Sequence, residues 1–367
     1  MKHPLRVLRW LLFPSACAYA GITMTRNWLY NKGVLPSHTF PVPTIVVGNL
    51  TVGGTGKTPH TEYLIRLLKN DYNLVILSRG YGRKTKGFRV ADEHATPQQI
   101  GDEPMQFYRK FGRDVMVTVG EDRVAAIRQA LRHLKQIAKA RPPEPVFEAT
   151  KNSIAEKVKT PLILLDDAFQ HRPVKPSFSI MLTDYNRLFY RDFLLPTGNL
   201  RETRRGARRA NAIIVSKCPP DLSKQVQQQI IARIRKYSRL STPVFFTGIQ
   251  YGAPVGFLPT DNTIFTDKLV LVSGLAQAGT LEAYVRKTYD CQFHLAFKDH
   301  HDYTQADVDK IRTACHKTGS SVVLTTGKDY VKLVQLPLPP DISFYYLPIE
   351  IFFLFDEGQK FNQLINP

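Results

Sequence analysis

Cysteine is scarce and scattered: Cys17, Cys218, Cys291 and Cys315 form no CxxC pair and no zinc-ligand spacing. That excludes a disulfide scaffold and a zinc module, and it fits a reducing compartment where the thiols simply pack. A long hydrophobic span is also missing. The apolar run from Trp10 to Met24 would reach about 22 Å as a helix, against roughly 30 Å of hydrocarbon. Pro14 interrupts it as well. Acidic residues are few, with 31 Asp and Glu against 50 Lys and Arg, a formal charge of +19. Such a surface attracts polyanions, whether nucleic acid, anionic lipid headgroups or phosphorylated metabolites. The absence of repeats and low-complexity tracts excludes solenoids and disordered chains.

What is present suits an ordinary globular protein, and 367 residues allow roughly two to three domains. Lys2, His3, Arg6 and Arg9 precede the apolar run in the manner of a signal peptide. No small-x-small cleavage site follows, and a nucleotide motif comes soon after. A basic, apolar helix lying in a membrane interface is the better reading, against a buried helix that covers the core.

Short apolar strands then alternate with helical patterns. Thr44 to Val47, Asn73 to Leu77, Leu162 to Leu165, Ser179 to Leu182 and Ala212 to Val215 read as strands. Pro59 to Lys69, Asp102 to Phe111 and Asp122 to Ile137 read as helices. The alternation predicts an α/β fold with a mainly parallel sheet. Arg141 to Pro145 is a Pro-rich excursion. A composition shift near 243–263 marks a linker, and a second α/β unit follows it. The expected division is an interfacial helix over 1–30, a first domain over 31–245, a linker over 246–263 and a smaller domain over 264–367.

The strongest motif is Gly53-Gly54-Thr55-Gly56-Lys57-Thr58, placed between an apolar strand and a helix. Glycines let backbone N–H groups curl around phosphate oxygens, and the helix N-terminus adds a favourable dipole. Lys57 would reach the β- and γ-phosphates of ATP, and the Thr58 hydroxyl would ligate Mg²⁺. The generic loop carries Gly where Thr51 stands. A second acidic signal, Asp166-Asp167, ends the apolar strand Pro161 to Leu165. Acids at a strand end lie at the carboxyl edge of the sheet, where ligands bind, so this pair is expected to organise the metal.

Five further clusters carry weaker signals. Gly101-Asp102-Glu103-Pro104 reads as a helix cap. Ser78-Arg79-Gly80-Tyr81-Gly82-Arg83 reads equally as a binding loop or a surface turn. The arginine run from Arg201 to Arg209 is either a solvated face or a phosphate-binding surface. Asp299-His300-His301-Asp302 is either a plain histidine pair or a carboxylate-tuned proton-transfer group. Thr325-Thr326-Gly327-Lys328-Asp329 lacks the spacing of a guanine-reading loop, because its Lys and Asp are adjacent.

Taken in order, these pieces resemble the lipid A tetraacyldisaccharide 4′-kinase family. The specific ones are Val47-Gly48-Asn49-Leu50-Thr51-Val52 ahead of the phosphate loop, Asp166-Asp167-Ala168-Phe169-Gln170-His171, and Pro196-Thr197-Gly198-Asn199-Leu200-Arg201-Glu202. Thr51 is shared with that family. Ala168 and Gly327 depart from it, standing where Gly and Glu are commoner, and 141–160 is an apparent insertion.

The resemblance implies a P-loop NTPase-like kinase domain, a smaller second domain joined by a β-ribbon, and an N-terminal membrane-associated helix. It implies ATP and Mg²⁺, and a lipid A disaccharide precursor phosphorylated at the cytoplasmic face of the inner membrane, whose anionic surface is a partner. It implies a base formed by Asp102 with His300, and acceptor contacts from Arg79, Tyr81, Arg201 and Glu202. A soluble P-loop NTPase that binds nucleic acid is the rival reading. No nucleic-acid motif or aromatic platform supports it, and nothing in the sequence sets an oligomeric state.

Overall fold

The computed structural model describes residues 12–140, 159–257, 265–275 and 278–366. The basic cluster Lys2 to Arg9, the Pro-rich excursion, nearly all of the 141–160 insertion and the end of the 246–263 linker lie outside them.

Fourteen described strands form two sheets. In chain order they are β1 (Thr44–Asn49), β2 (Tyr72–Ser78), β3 (Arg89–Val90), β4 (Met116–Val119), β5 (Thr160–Asp166), β6 (Phe178–Asp184), β7 (Ala212–Ser216), β8 (Val244–Tyr251), β9 (Val255–Gly256), β10 (Lys268–Ser273), β11 (Asp290–Ala296), β12 (Val322–Thr326), β13 (Ser343–Leu347) and β14 (Ile349–Phe353). The larger sheet runs β14-β8-β7-β6-β1-β5-β2-β4-β3 and the smaller β11-β10-β12-β13-β9. Both are mostly parallel, which gives the α/β class expected.

Strand β1 is buried throughout. That burial on both faces is what a central parallel strand requires. Its side chains alternate: Val46 packs with Val124, Ile127 and Ile234 on one face, while Ile45 and Val47 pack with Leu64, Ile65 and Phe107 on the other. Val47 is in register with Asp166 of β5, so the phosphate loop and the Asp-Asp pair leave the sheet side by side.

The helices that matter here are α1 (Phe13–Asn31), α2 (Lys57–Leu68), α3 (Asp102–Phe111), α4 (Arg123–Ala140), α5 (Gln305–Thr318), α6 (Gly327–Leu333) and α7 (Gly358–Ile365). Pro14 starts α1 instead of interrupting it, since a first-turn proline loses no helical hydrogen bond. Ile22, Met24 and Trp28 of α1 are exposed. Among the described residues, no helix is long and apolar enough to cross a membrane.

The smaller unit ends earlier than the expected 264–367. Strand β14 returns to the larger sheet, antiparallel to the outer half of β8, from Ile349 opposite Tyr251 to Phe353 opposite Thr247. Phe361 and Ile365 of α7 then join the core around Leu64 and Phe107. The chain thus passes between the units twice, from β8 to β9 and from β13 to β14. A second junction is made where Val331 of α6 packs against Ile100 and Met105.

Candidate active site

The phosphate loop is held from outside itself. Thr51 bridges antiparallel to Leu200, and Val52 N–H donates to Asn199 O at 2.8 Å. Residue 51 is therefore extended, which explains why Thr serves where the generic loop has Gly. Asn49 Nδ2 donates to Thr55 Oγ1 at 2.9 Å, Ser216 Oγ donates to Thr55 O at 2.9 Å, and Arg187 Nη2 donates to Val52 O at 2.7 Å. Lys217 bonds Gly54 O and pairs with Asp184 at 2.8 Å. Gly56 caps α2 in the left-handed region, φ 78°, where other residues are strained. Gly53 and Gly54 are exposed, Lys57 and Thr58 stand in the first turn of α2, and Thr55 is buried with its side chain engaged.

Asp166 and Asp167 sit in different environments. Asp166 is 3% exposed, and among the described residues its one direct side-chain donor is Thr61 Oγ1 at 3.2 Å. Burial, then the nearby carboxylates Glu103 and Asp167, push it well above the usual carboxylate range, against Lys57 and Thr61. Asp167 has φ 45° and faces Lys57 Nζ at 3.5 Å and Arg201 Nη1 at 3.1 Å. Burial works to raise it, but Lys57 and Arg201 prevail and hold it below the usual range. Among the described residues, no three His, Cys, Asp or Glu side chains form a ready-made metal cage. A crowd of acids with too few donors fits Mg²⁺, which takes one or two carboxylates together with substrate phosphates.

Asp102 and His300 come from different units. Gly101, at φ 96°, turns the chain so that Asp102 opens α3; a Cβ there would meet Tyr81 O at 3.0 Å. His300, at φ 57°, brings Nδ1 to 3.2 Å from Asp102 Oδ2. His301 is committed elsewhere: its Nε2 lies 3.0 Å from Asp307 Oδ2 and its ring stacks on Phe297. Glu103, next to Asp102, is close enough to act on Asp166, so the start of α3 links the two acidic clusters.

The expected acceptor residues divide. Arg79 and Tyr81 are exposed on the Gly-rich loop, and the Tyr81 ring meets His300 edge-on at 6.4 Å. Arg201 is partly exposed and bonded to Asp167. Glu202 is 3% exposed, and its carboxylate is taken by Arg209, by Asn27 of α1 at 2.9 Å and by Gln170 at 3.2 Å. It ties α1 to the loop. Reading the sequence alone missed Thr61, Arg123 (which bonds the Asp166 carbonyl at 3.4 Å), Lys328 and Lys332. Only the lysines left a signal, four residues apart after a strand.

The comparisons bear on this geometry. A family model described as tetraacyldisaccharide-1-P 4′-kinase matches residues 8–366. Tetraacyldisaccharide 4′-kinase of Flavobacterium johnsoniae is 42% identical, with 98% of this chain and 96% of that protein covered. The enzyme of the same description from Bacteroides thetaiotaomicron is 38% identical, covering 99% and 94%. The crystal structure of LpxK from Aquifex aeolicus in complex with ATP superposes with a TM-score of 0.70 at 28% identity, over 98% of each chain. With a family match over nearly its whole length and relatives aligned end to end, this chain belongs to the tetraacyldisaccharide-1-P 4′-kinase family.

Proposed function

We propose that the protein transfers the γ-phosphoryl group of ATP to the 4′-hydroxyl of a tetraacylated glucosamine disaccharide 1-phosphate, in lipid A biosynthesis. The observation that carries this reading is family membership across residues 8–366. It displaces the rival reading of an NTPase that binds nucleic acid.

Phosphoryl transfer asks for positioning and charge neutralisation more than covalent chemistry. The exposed N–H groups of Gly53 and Gly54, the α2 N-terminus and Lys57 bind the ATP phosphates. Lys57, now near Asp167, exchanges that partner for phosphate oxygens. Thr58, Asp166 and Asp167 would hold Mg²⁺, which when bound would screen the phosphate charge of ATP. Asp102 and His300 together accept the hydroxyl proton; a carboxylate beside an imidazole suits that task near neutral pH. Because the pair is completed only where the units meet, their approach governs when transfer happens and limits hydrolysis by water. Arg79, Tyr81 and Arg201 contact the acceptor; Tyr81 stands beside His300 and Arg201 beside Asp167.

The membrane side of the reading rests on α1 and the basic surface. Exposed Ile22, Met24 and Trp28, with Val34 beyond the helix, suit the boundary between headgroups and acyl chains. The net charge of +19 suits the anionic cytoplasmic face of the inner membrane.

The test is product analysis. After incubation with ATP, Mg²⁺ and detergent-dispersed tetraacyl disaccharide 1-phosphate, mass spectrometry should find one added phosphoryl group on the distal sugar. Unmodified lipid beside folded, ATP-binding protein would reject the reading.

A further inference from the structure

Two lysines of α6 reach the Asp102–His300 pair from opposite ends. Lys328 and Lys332 are four residues apart, so they project from one face of the helix. Lys332 Nζ lies 2.9 Å from Asp102 Oδ2 and donates to the carbonyls of His300 at 3.2 Å and His301 at 3.0 Å. That pins the loop on which His300 holds its left-handed backbone. Lys328 Nζ lies 3.0 Å from His300 Nε2 and 3.0 Å from Asp299 Oδ1. Lys328 is thus ion-paired with Asp299.

An ammonium has three donors and no acceptor. A ring nitrogen 3.0 Å from it must therefore offer a lone pair. The single proton of the neutral imidazole is left on Nδ1, where it points at Asp102. We propose that Lys328 is a positioning residue that, together with the Asp102 acceptor, holds His300 in the Nδ1–H tautomer, with Nε2 unprotonated and Nδ1 donating to Asp102. The inference rests on the proposed role of the Asp102–His300 pair, but its primary readout does not depend on activity. Lys332 sets where the loop stands, while Asp102 as acceptor at Nδ1 and Lys328 as donor at Nε2 both place the proton on Nδ1. The Tyr81 ring approaches His300 edge-on and adds no acceptor for an Nε2 proton, and the Asp299 carboxylate lies 4.0 Å from Nε2, beyond hydrogen-bond reach.

The experiment is ¹⁵N–¹H correlation across the imidazole two-bond couplings in the full-length protein, labelled at histidine, in detergent. The His300 signals are assigned by their loss in His300→Gln. The expected wild-type pattern is a protonated Nδ1 and a bare Nε2. In Asp102→Ala the proton should stay on Nδ1, kept there by Lys328 alone; in Asp102→Ala/Lys328→Met it should move mainly to Nε2, and in Asp102→Ala/Lys328→Arg it should stay on Nδ1. A wild-type His300 protonated at Nε2, an Asp102→Ala spectrum already shifted to Nε2, or a double variant Asp102→Ala/Lys328→Met that keeps Nδ1–H overturns the assignment. If the tautomer follows Lys328 while Asp102→Asn and His300→Gln transfer phosphate at the wild-type rate, the base reading fails and this assignment stands. The reverse pattern keeps the base reading and removes Lys328 from it.

Discussion

His300 Nδ1 lies 3.2 Å from Asp102 Oδ2 although 198 residues separate the two in the chain. Asp102 is set by the Gly101 turn at the head of α3, and His300 by a loop of the other unit that Lys332 holds in place. Replacing either member should therefore stop transfer without disturbing the phosphate loop. Asp102→Asn and His300→Gln are expected to lower kcat by about a hundredfold or more, with ATP affinity unchanged. Labelled-phosphate transfer and equilibrium nucleotide binding, run on the same preparations, check both halves. Wild-type turnover in either variant would remove the pair from the mechanism.

Glu202 joins three parts of the molecule: Asn27 on α1, Gln170 after the Asp-Asp pair, and Arg209 at the end of the arginine run. Glu202→Ala leaves the Arg209 guanidinium, among the described residues, with the Phe169 carbonyl and ring alone, and it removes one of the ties on α1, beside those from Tyr19 to Arg201 O and from Arg26 to Gln170 O. The expected cost is about 2 to 3 kcal/mol of stability, as for breaking a partly buried ion pair. Urea melts measure that cost, and limited proteolysis should cut α1 faster in the variant. Unchanged stability with a raised KM for the lipid acceptor would instead assign Glu202 the acceptor-binding role.

His60 makes stability depend on pH. Burial holds it at about 4, below the usual 6.5, with the bond to the Gly56 carbonyl working the other way. Between these values the unfolded chain takes up a proton that the folded chain refuses. Stability from this group is complete above pH 6.5 and falls as pH drops toward 4, by up to about 3 kcal/mol. Urea midpoints at pH 7 and pH 5 should differ more for the wild type than for His60→Gln. Equal differences would contradict the assignment.

Gly48 is packed against the turn that follows β5. A Cβ at position 48 would sit 2.6 Å from Phe169 Cβ and 2.9 Å from its backbone nitrogen. Neither neighbour can give way without moving Asp167. Gly48→Ala should cost about 1 to 3 kcal/mol, the usual range for overpacking a core, and should weaken ATP binding as well. Calorimetry with and without nucleotide separates the two effects.

Much of this was legible where the chemistry is contiguous. The phosphate loop, the acids that end β5 and the apolar run Ile45 to Val47 of β1 each carry their physics in a few neighbouring residues. What was missed depends on returns of the chain. Nothing local in Ile349 to Phe353 says that it leaves the smaller unit to pair with β8. Glu202 was expected as an acceptor contact, and its ties to Asn27 and Gln170 were not visible because those partners are distant in sequence. Pro14 read as a break because the start of α1 was not visible from the apolar pattern alone. His300 and His301 are indistinguishable by type, and only Asp307 and Phe297 show that His301 is committed within its own unit.

The central claim, that the protein moves the γ-phosphoryl group of ATP onto a lipid-borne sugar hydroxyl, is tested most directly by one transfer measurement. ATP labelled at the γ-phosphate is incubated with Mg²⁺, detergent-dispersed tetraacyl disaccharide 1-phosphate and either the wild type or Lys57→Ala. The account predicts label in a bisphosphorylated lipid with the wild type and none above background with the variant. Folded, ATP-binding wild type that leaves the lipid unlabelled, or equal labelling by Lys57→Ala, would contradict it.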